Sequence, residues 1–322
     1  MRVLVVGAGG YVGSRLVPLL LRGGQEVRAT FTDPARARRH AWADAVEVVH
    51  VDVLDRATVR AVVSGVDAVV YLVHGLRAAG FTVTDRTAAL HTADACAEAG
   101  VRRIVYLSGL VPPVPREQLS AHIDSRLEVE DLLTASGTPT TVLRAAMVIG
   151  RGSTPFELMR QVAERMPVQV VPTWMHARVQ PVAVVDALAA VTGALGLPPE
   201  AGSRSYDVGG PDVVPYVDLL HRFAELSGTG GPQLRLPGLP GIVVRKLAAA
   251  LVDVPSPTVE AIMESLRHDM VCAEDDFVRD LLPPGHRLLG SGEAMARALA
   301  AGDVAPEGDP MGLLASDPDW AG

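Results

Sequence analysis

The chain has 322 residues, of which 48% are hydrophobic and 20% charged, and its formal net charge at pH 7 is −8. This composition suits one large or two small globular domains with enough apolar material for a core. The acidic balance gives no indication of nucleic-acid binding, and the one basic cluster is Arg36, Arg38 and Arg39. The cysteines, Cys96 and Cys272, match no metal or redox spacing, so we expect reduced thiols in a cytoplasmic protein.

No apolar run reaches membrane-spanning length, and the first apolar run is too short for a signal peptide. We therefore expect no membrane association.

The amino-terminal residues predict a βαβ unit. An apolar run at residues 2–6 leads into G-A-G-G-Y-V-G, a helical stretch and a second apolar run at 27–31. In such a unit Gly7 permits the tight turn, Gly10 lets the backbone approach a pyrophosphate, and Gly13 lets the helix pack close to the sheet. The helix would offer free N–H groups and the positive end of its dipole to the phosphates. The alternative is a glycine-rich turn without a ligand.

The following residues predict a doubly wound parallel sheet of six strands. Four further strands, at 46–51, 67–73, 103–107 and 140–143, alternate with helices. Beyond residue 150 the alternation breaks into helices and short strands, one of them at 205–208. We predict a Rossmann domain over 1–150 and a mostly helical substrate-binding region over 151–301. Residues 302–322, rich in Pro, Gly and Asp, are predicted to form an extended or disordered tail.

Six motifs together resemble one known family. They are V-V-G-A-G-G-Y-V-G at the start, D-V-L-D at 52–55, V-D-A-V-V-Y-L-V-H at 66–74, A-G-V-R-R-I-V-Y-L-S-G-L at 99–110, L-R-A-A-M-V-I-G at 143–150 and Y-D-V-G-G-P at 206–211. The pattern is similar to the atypical, NmrA-like branch of the short-chain dehydrogenase/reductase superfamily, whose members bind NAD(P). One departure is Gly9, where relatives commonly carry Thr.

The resemblance implies where a cofactor would lie. Residues of the glycine turn would hold the diphosphate: Gly7, Gly10, Tyr11, Val12 and Gly13. Residues after the third to sixth strands would hold the rest: Asp52 and Val53 the adenine, Val73 and His74 the ribose and nicotinamide side, and Ala146 and Val148 the nicotinamide pocket. Asp52 has the alternative role of a strand-end turn residue, and His74 that of a loop histidine without function.

The end of the second strand bears on the choice between NADP and NAD. An acidic residue there would bind the ribose hydroxyls of NAD, whereas an arginine would bind the extra phosphate of NADP. This chain carries Thr32 where NADP-type relatives often carry Arg, and Arg36, Arg38 or Arg39 can reach a phosphate from the next turn. We expect NADP, with NAD possible; the alternative is that these arginines form a solvated helix face.

The usual catalytic pair of this family, a Tyr followed four residues later by Lys, is absent because the only lysine is Lys246 and the residue four earlier is Ile242. At the equivalent place stand His122 and Arg126, four apart and so on one helical face. An unperturbed histidine has a pKa of ~6.5, so His122 is a candidate proton donor. Arg126 is a candidate fixed cation for the cofactor ribose or phosphate. Ser108 matches the family's substrate-orienting serine. The alternative for His122 is a surface histidine without a catalytic role, and the alternative for Ser108 is a turn residue at the end of a strand.

Three functions fit these observations. The first is an NAD(P)-dependent oxidoreductase that reduces a small apolar carbonyl, enone or quinone-like substrate. The second is a non-catalytic NAD(P)H sensor of NmrA type, and the third is an isomerase or lyase on the same fold. We expect a monomer or homodimer, and Trp174, His176 and His268 are further candidates for substrate contact.

Overall fold

The computed structural model describes residues 1–75, 80–166, 169–171, 177–229, 233–235, 246, 250–265, 267–300 and 309–321. The strands in chain order are β1 (Arg2–Val6), β2 (Glu26–Phe31), β3 (Glu47–His50), β4 (Ala68–Tyr71), β5 (Arg103–Gly109), β6 (Thr140–Ala145), β7 (Val148–Ile149), β8 (Gln169–Val171), β9 (Arg178–Val179), β10 (Val182–Ala183), β11 (Arg204–Val208), β12 (Val214–Pro215) and β13 (Gln233–Arg235). The α-helices are α1 (Tyr11–Arg22), α2 (Arg56–Val63), α3 (Phe81–Ala99), α4 (Ala121–Thr134), α5 (Thr154–Arg165), α6 (Val184–Leu195), α7 (Tyr216–Ser227), α8 (Ser256–Ser265), α9 (Asp276–Asp280) and α10 (Ser291–Ala300).

Seven strands form one parallel sheet in the order β11-β6-β5-β4-β1-β2-β3. Its central strands are covered on both faces, as their continuous apolar runs predict, and every residue of β4 is buried. Helices α1 and α6 pack on one face and α2, α3 and α4 on the other. The strand order reverses between β1 and β4, which leaves a crevice at their carboxyl ends. The predicted Rossmann-type fold is confirmed.

The sheet has one strand more than the sequence predicted. Strand β11 pairs with β6, with Tyr206 opposite Leu143, and it comes from beyond the predicted domain boundary at residue 150. Its inward side chains, Tyr206 and Val208, are buried, so the strand extends the nucleotide-binding sheet. The division of the chain at 150 and 301 stays a prediction.

The carboxyl-terminal residues also differ from expectation. Instead of an extended or disordered tail, residues 309–321 form turns that pack on the rest of the chain, and Met311 and Ala321 are 0% exposed. The residues before them, 301–308, lie outside the described part.

No helix in the described ranges is long and apolar enough to cross a lipid bilayer.

Candidate cofactor-binding and active site

The turn between β1 and α1 has the geometry of a phosphate-binding loop. Gly7 adopts φ +93°, in the left-handed region, and its carbonyl accepts a hydrogen bond from Gly10 N at 3.0 Å. Gly10 precedes α1 without a side-chain cap, so no side chain occupies the first N–H groups of the helix. A Cβ on Gly13 would lie 2.4 Å from Gly7 O and 2.7 Å from Ala8 Cα. The loop therefore requires glycine at 7 and 13 and fits a diphosphate at the amino end of α1.

Gly9 has a local reason in this chain. A Cβ at Gly9 would lie 2.7 Å from the ring of Phe31, at the end of β2. Phe31 belongs to an aromatic cluster in which the rings of His40 and Trp42 stack at 4.5 Å, and Trp42 Nε1 donates to Ser14 O at 3.1 Å. The cluster thus links the end of β2 to α1, a connection that the sequence did not indicate.

The predicted NADP-selecting residues lie at the end of β2 and on the adjacent 3₁₀ turn, Pro34–Arg39. Thr32 and Arg36 are exposed, and within the described ranges Arg36 has no ion-pair partner. The Asp33 carboxylate accepts a hydrogen bond from Ala35 N at 3.0 Å, which caps the turn. One oxygen of this carboxylate is therefore engaged by the backbone, and the neighbouring Arg36 side chain is exposed.

Asp52 adopts the turn role that was its alternative. Its Oδ1 accepts from Leu54 N at 2.9 Å, and its carbonyl accepts from Thr58 Oγ1 at 2.8 Å. The side chain remains exposed at the carboxyl end of β3, and Val53 beside it is half-buried. Contact of Asp52 and Val53 with adenine stays a prediction.

The candidate catalytic residues gather at the carboxyl ends of β4 and β5. The rings of His74 and His122 lie 6.5 Å apart between centroids and are tilted by 65°. Arg126, one turn along α4 from His122, lies over the end of β5, where a Cβ on Gly109 would be 3.0 Å from its Nη1. Ser108 is 3% exposed, and its hydroxyl has no hydrogen-bond partner within the described ranges. The structure thus brings His74, His122 and Arg126 to one edge of the sheet, with Ser108 next to it.

The surroundings of His122 change its expected protonation. Burial, the Arg126 charge and His74 together lower the pKa of His122 to about 2. The imidazole is therefore neutral at pH 7, and the role of His122 as proton donor stays a prediction. A neutral imidazole still donates one hydrogen bond and accepts another.

Asp85, on α3, connects the two halves of this edge. Its Oδ1 accepts from Gly75 N at 2.7 Å, and its Oδ2 accepts from Ser125 Oγ at 3.4 Å. Burial raises the pKa of this carboxyl, while the Gly75 N–H, the Arg126 charge and Ser125 oppose the rise. Asp85 thereby fixes the loop after β4 to α4, and the charge of the half-buried Arg126 favours its ionised form. Sequence reasoning did not identify Asp85 as a site residue, because nothing in its local pattern indicates these partners.

The predicted nicotinamide-pocket residues follow β6. Ala146 N donates to Val208 O at 3.0 Å, and Val148 pairs with Val182 in β10. Both Ala146 and Val148 are half-buried, as is Val73 after β4.

The structure says less about the candidates for substrate contact. Trp174 and His176 lie outside the described residues. His268 lies beyond α8, and its role stays a prediction.

A cavity of about 280 Å³ lies at the opposite edge of the sheet, near Met1, Asp67 and Arg103. It is far from the carboxyl ends where α/β sheets bind ligands, and we assign it no functional role.

Comparison with known proteins agrees with this geometry. A family model described as NAD(P)H-binding matches residues 7–173, which is more than half of the chain. A ceramide reductase from Caulobacter vibrioides is 28% identical over 261 residues, which are 78% of this chain and 77% of that protein.

Two solved structures share the fold over most of this chain. An NADPH-dependent quinone oxidoreductase from Escherichia coli, complexed with NADPH, has a TM-score of 0.72 and 17% identity and covers 93% of this chain and 100% of its own. A triphenylmethane reductase from Citrobacter sp., complexed with NADP(H), has a TM-score of 0.71 and 19% identity and covers 92% of this chain and 100% of its own. With its glycine loop, parallel sheet and matched family model, the chain belongs to the NAD(P)H-binding family.

Proposed function

We propose that this protein is an NADPH-dependent reductase of an apolar carbonyl, enone or quinone-like substrate. The observation that carries the proposal is the His122–Arg126 pair, which lies at the carboxyl ends of β4 and β5 with His74 beside it. In a Rossmann fold this edge faces the crevice into which a dinucleotide extends from the glycine loop. The polar groups of the edge would then lie around the reactive ring and the substrate.

The preference for NADPH rests on the end of β2. Arg36 is exposed on the turn after Thr32, and the only acid between them, Asp33, caps that turn through Ala35 N. A 2′-phosphate would meet the Arg36 guanidinium and the Thr32 hydroxyl, whereas the ribose diol of NAD would meet only Asp33, one oxygen of which already accepts from Ala35 N.

The residues of this edge have distinct chemical roles in the proposal. NADPH, held at the glycine loop by Gly7, Gly10 and Gly13, would supply the hydride for reduction of the substrate. His122, neutral because burial and Arg126 lower its pKa, donates an N–H hydrogen bond to the substrate oxygen, and water delivers the proton to that oxygen. Arg126 remains a cation that binds the cofactor ribose and stabilises the developing negative charge. Ser108, with an unpaired hydroxyl, orients the substrate.

The similar proteins support the reaction type. They are named as reductases or oxidoreductases of ceramide, quinone and triphenylmethane, all of which have large apolar parts. The common element of these names is a reduction, and the two solved structures are complexes with NADPH or NADP(H).

The test is NADPH oxidation with a panel of quinones, enones and aliphatic ketones. We expect turnover with at least one of these classes, and we expect His122→Ala and Arg126→Ala to lower kcat/KM by about 10²-fold each. His221→Ala removes an exposed histidine on α7 and Arg102→Ala an exposed arginine before β5, so both controls should match the wild type. Unchanged turnover in His122→Ala would refute its assigned role.

The low pKa of His122 also favours a second candidate, the non-catalytic NAD(P)H sensor, because a neutral imidazole is a poor acid. The same panel separates the two functions. A sensor would bind NADPH and NADP⁺ with clearly different affinities and reduce none of the acceptors.

A further inference from the structure

The carboxyl-terminal residues 309–321, which we call the C-terminal strap, pack against the helix that follows the glycine loop. The strap is held by backbone contacts: Arg151 N donates to Met311 O at 2.9 Å, and Gln161 Nε2 donates to Trp320 O at 2.7 Å. Its residues Met311 and Ala321 are fully buried. The strap is therefore an integral part of the fold on the side of α1.

The central contact of the strap is a buried ion pair between Asp317 and Arg15. Arg15 lies in the second turn of α1, and its Nη1 and Nη2 donate to the Asp317 carboxylate at 2.8 and 2.6 Å. The two side chains are 0% and 2% exposed. The other Arg15 donors bind backbone carbonyls: Nε binds Pro310 O at 2.9 Å, and Nη2 binds Gly312 O and Arg151 O at 2.8 Å. A guanidinium satisfied in this way has one geometry, because each partner restricts it.

Arg15 in turn holds Tyr11, the first residue of α1. The guanidinium carbon lies 4.0 Å above the centre of the Tyr11 ring, and Nη1 donates to Tyr11 O at 3.1 Å. The Tyr11 hydroxyl is buried, and it lies where a Cβ on Gly150 would approach to 2.3 Å. The Tyr11 N–H is among those at the open amino end of α1, so its position bears directly on the diphosphate site.

Gly152 leaves the space that the Asp317 carboxylate occupies. Gly152 has φ +85°, and a Cβ there would lie 2.4 Å from Asp317 Oδ2. The strap stabilises its own side of the contact, since Leu314 N donates to Asp317 Oδ2 at 2.8 Å. Both sides of the pair are thus preorganised around a single arrangement.

We propose that the C-terminal strap is part of the cofactor site: Asp317 positions Arg15, and Arg15 positions Tyr11 at the diphosphate-binding end of α1. The inference rests on the proposed placement of the diphosphate at that helix end. Because coupling between two parts of a protein is reciprocal, a bound dinucleotide also tightens the strap. Arg15 and Asp317 are positioning residues that act through Tyr11.

The first test compares Asp317→Asn with Glu293→Gln, a matched carboxylate-to-amide change in the exposed Arg287–Glu293 pair. Each variant is titrated with NADPH and with adenosine 2′-monophosphate, which lacks the diphosphate, at a temperature where circular dichroism shows it folded. We expect Asp317→Asn to raise the Kd for NADPH at least tenfold and that for the monophosphate less than threefold, with Glu293→Gln like the wild type. An equal loss for both ligands, or none for NADPH, would overturn the proposal.

The second test needs no variant. In the wild type, saturating NADPH should slow amide hydrogen exchange of residues 309–321 at least threefold, and adenosine 2′-monophosphate should leave it unchanged. Unchanged exchange with NADPH bound would contradict the coupling. Failure of the wild type to bind NADPH at all would instead refute the proposed cofactor site, so the two failures are distinguishable.

Discussion

Replacing Gly13 by alanine tests the contact on which the glycine loop depends. The added Cβ would lie 2.4 Å from Gly7 O, 2.7 Å from Ala8 Cα and 2.8 Å from Ala8 O, all of them backbone atoms. Ordinary van der Waals contact begins at 3.4 Å, so α1 must move away from the turn by about 1 Å. Because these atoms belong to the loop itself, no side-chain rotation relieves the contact.

The expected cost follows from overpacking, which typically destabilises by about 1–3 kcal/mol. Because this strain destabilises the loop conformation that binds the nucleotide, the Kd for NADPH is expected to rise by about 10- to 100-fold, since about 1.4 kcal/mol is a factor of ten. Fluorescence titration of bound NADPH measures the effect directly.

Gly23→Ala is the matched control, because Gly23 lies at the other end of α1 with φ −77° and its nearest Cβ contact would be 3.4 Å. We expect this variant to bind NADPH as the wild type does. A Gly13→Ala variant whose Kd stays within twofold of the wild type would refute the assignment of the loop to the diphosphate.

Three further predictions concern other parts of the molecule. Arg36→Ala should weaken NADPH binding about tenfold and leave NADH binding unchanged, as measured by titration with Arg102→Ala as control; equal loss for both nucleotides would contradict the 2′-phosphate role. The pKa of His122 falls from ~6.5 in the unfolded chain to about 2 in the folded one, so the unfolded chain binds more protons between these values and stability falls as pH drops below ~6.5. Urea unfolding should show about 2 kcal/mol lost from this group between pH 7.5 and 5, and His122→Gln should lack that part of the loss. Gly152→Ala should cost at least about 2 kcal/mol of unfolding free energy, because of its positive φ and the contact with Asp317. In contrast, Gly228→Ala, in the left-handed region with φ +65° and no Cβ contact within 4 Å, should cost about 1 kcal/mol; equal losses in both glycine variants would rule out a special role for the Asp317 contact.

The glycine loop and the parallel sheet were predictable because their signals are local. Gly7, Gly10 and Gly13 stand at fixed spacing in one turn, and β1 and β4 are continuous apolar runs. The short strand at 205–208 was predicted, but its place in the parallel sheet was not, because its partner β6 lies about sixty residues earlier and only the folded chain shows the pairing. Strands β6 and β11 become neighbours through the topology of the whole sheet, which no local sequence pattern encodes.

In the candidate site, too, local features were predictable and contacts between distant residues were not. The spacing of His122 and Arg126 placed them correctly on one helix face, but spacing says nothing of burial, which sets the pKa of His122. Asp85 and the Arg15–Asp317 pair were missed because their partners lie far along the chain, 302 residues away for Asp317. The composition of the last residues suggested disorder, whereas one buried carboxylate fixes them to α1.

The central claim is that the amino end of α1 binds the diphosphate and directs the nicotinamide toward the ends of β4 and β5. A crystal structure with NADPH tests this claim most directly. We predict phosphate oxygens within hydrogen-bond distance of the backbone N–H groups at Gly10, Tyr11 and Val12, with the reactive ring carbon facing His122. A nucleotide bound elsewhere, or a ring directed away from His122, would contradict it.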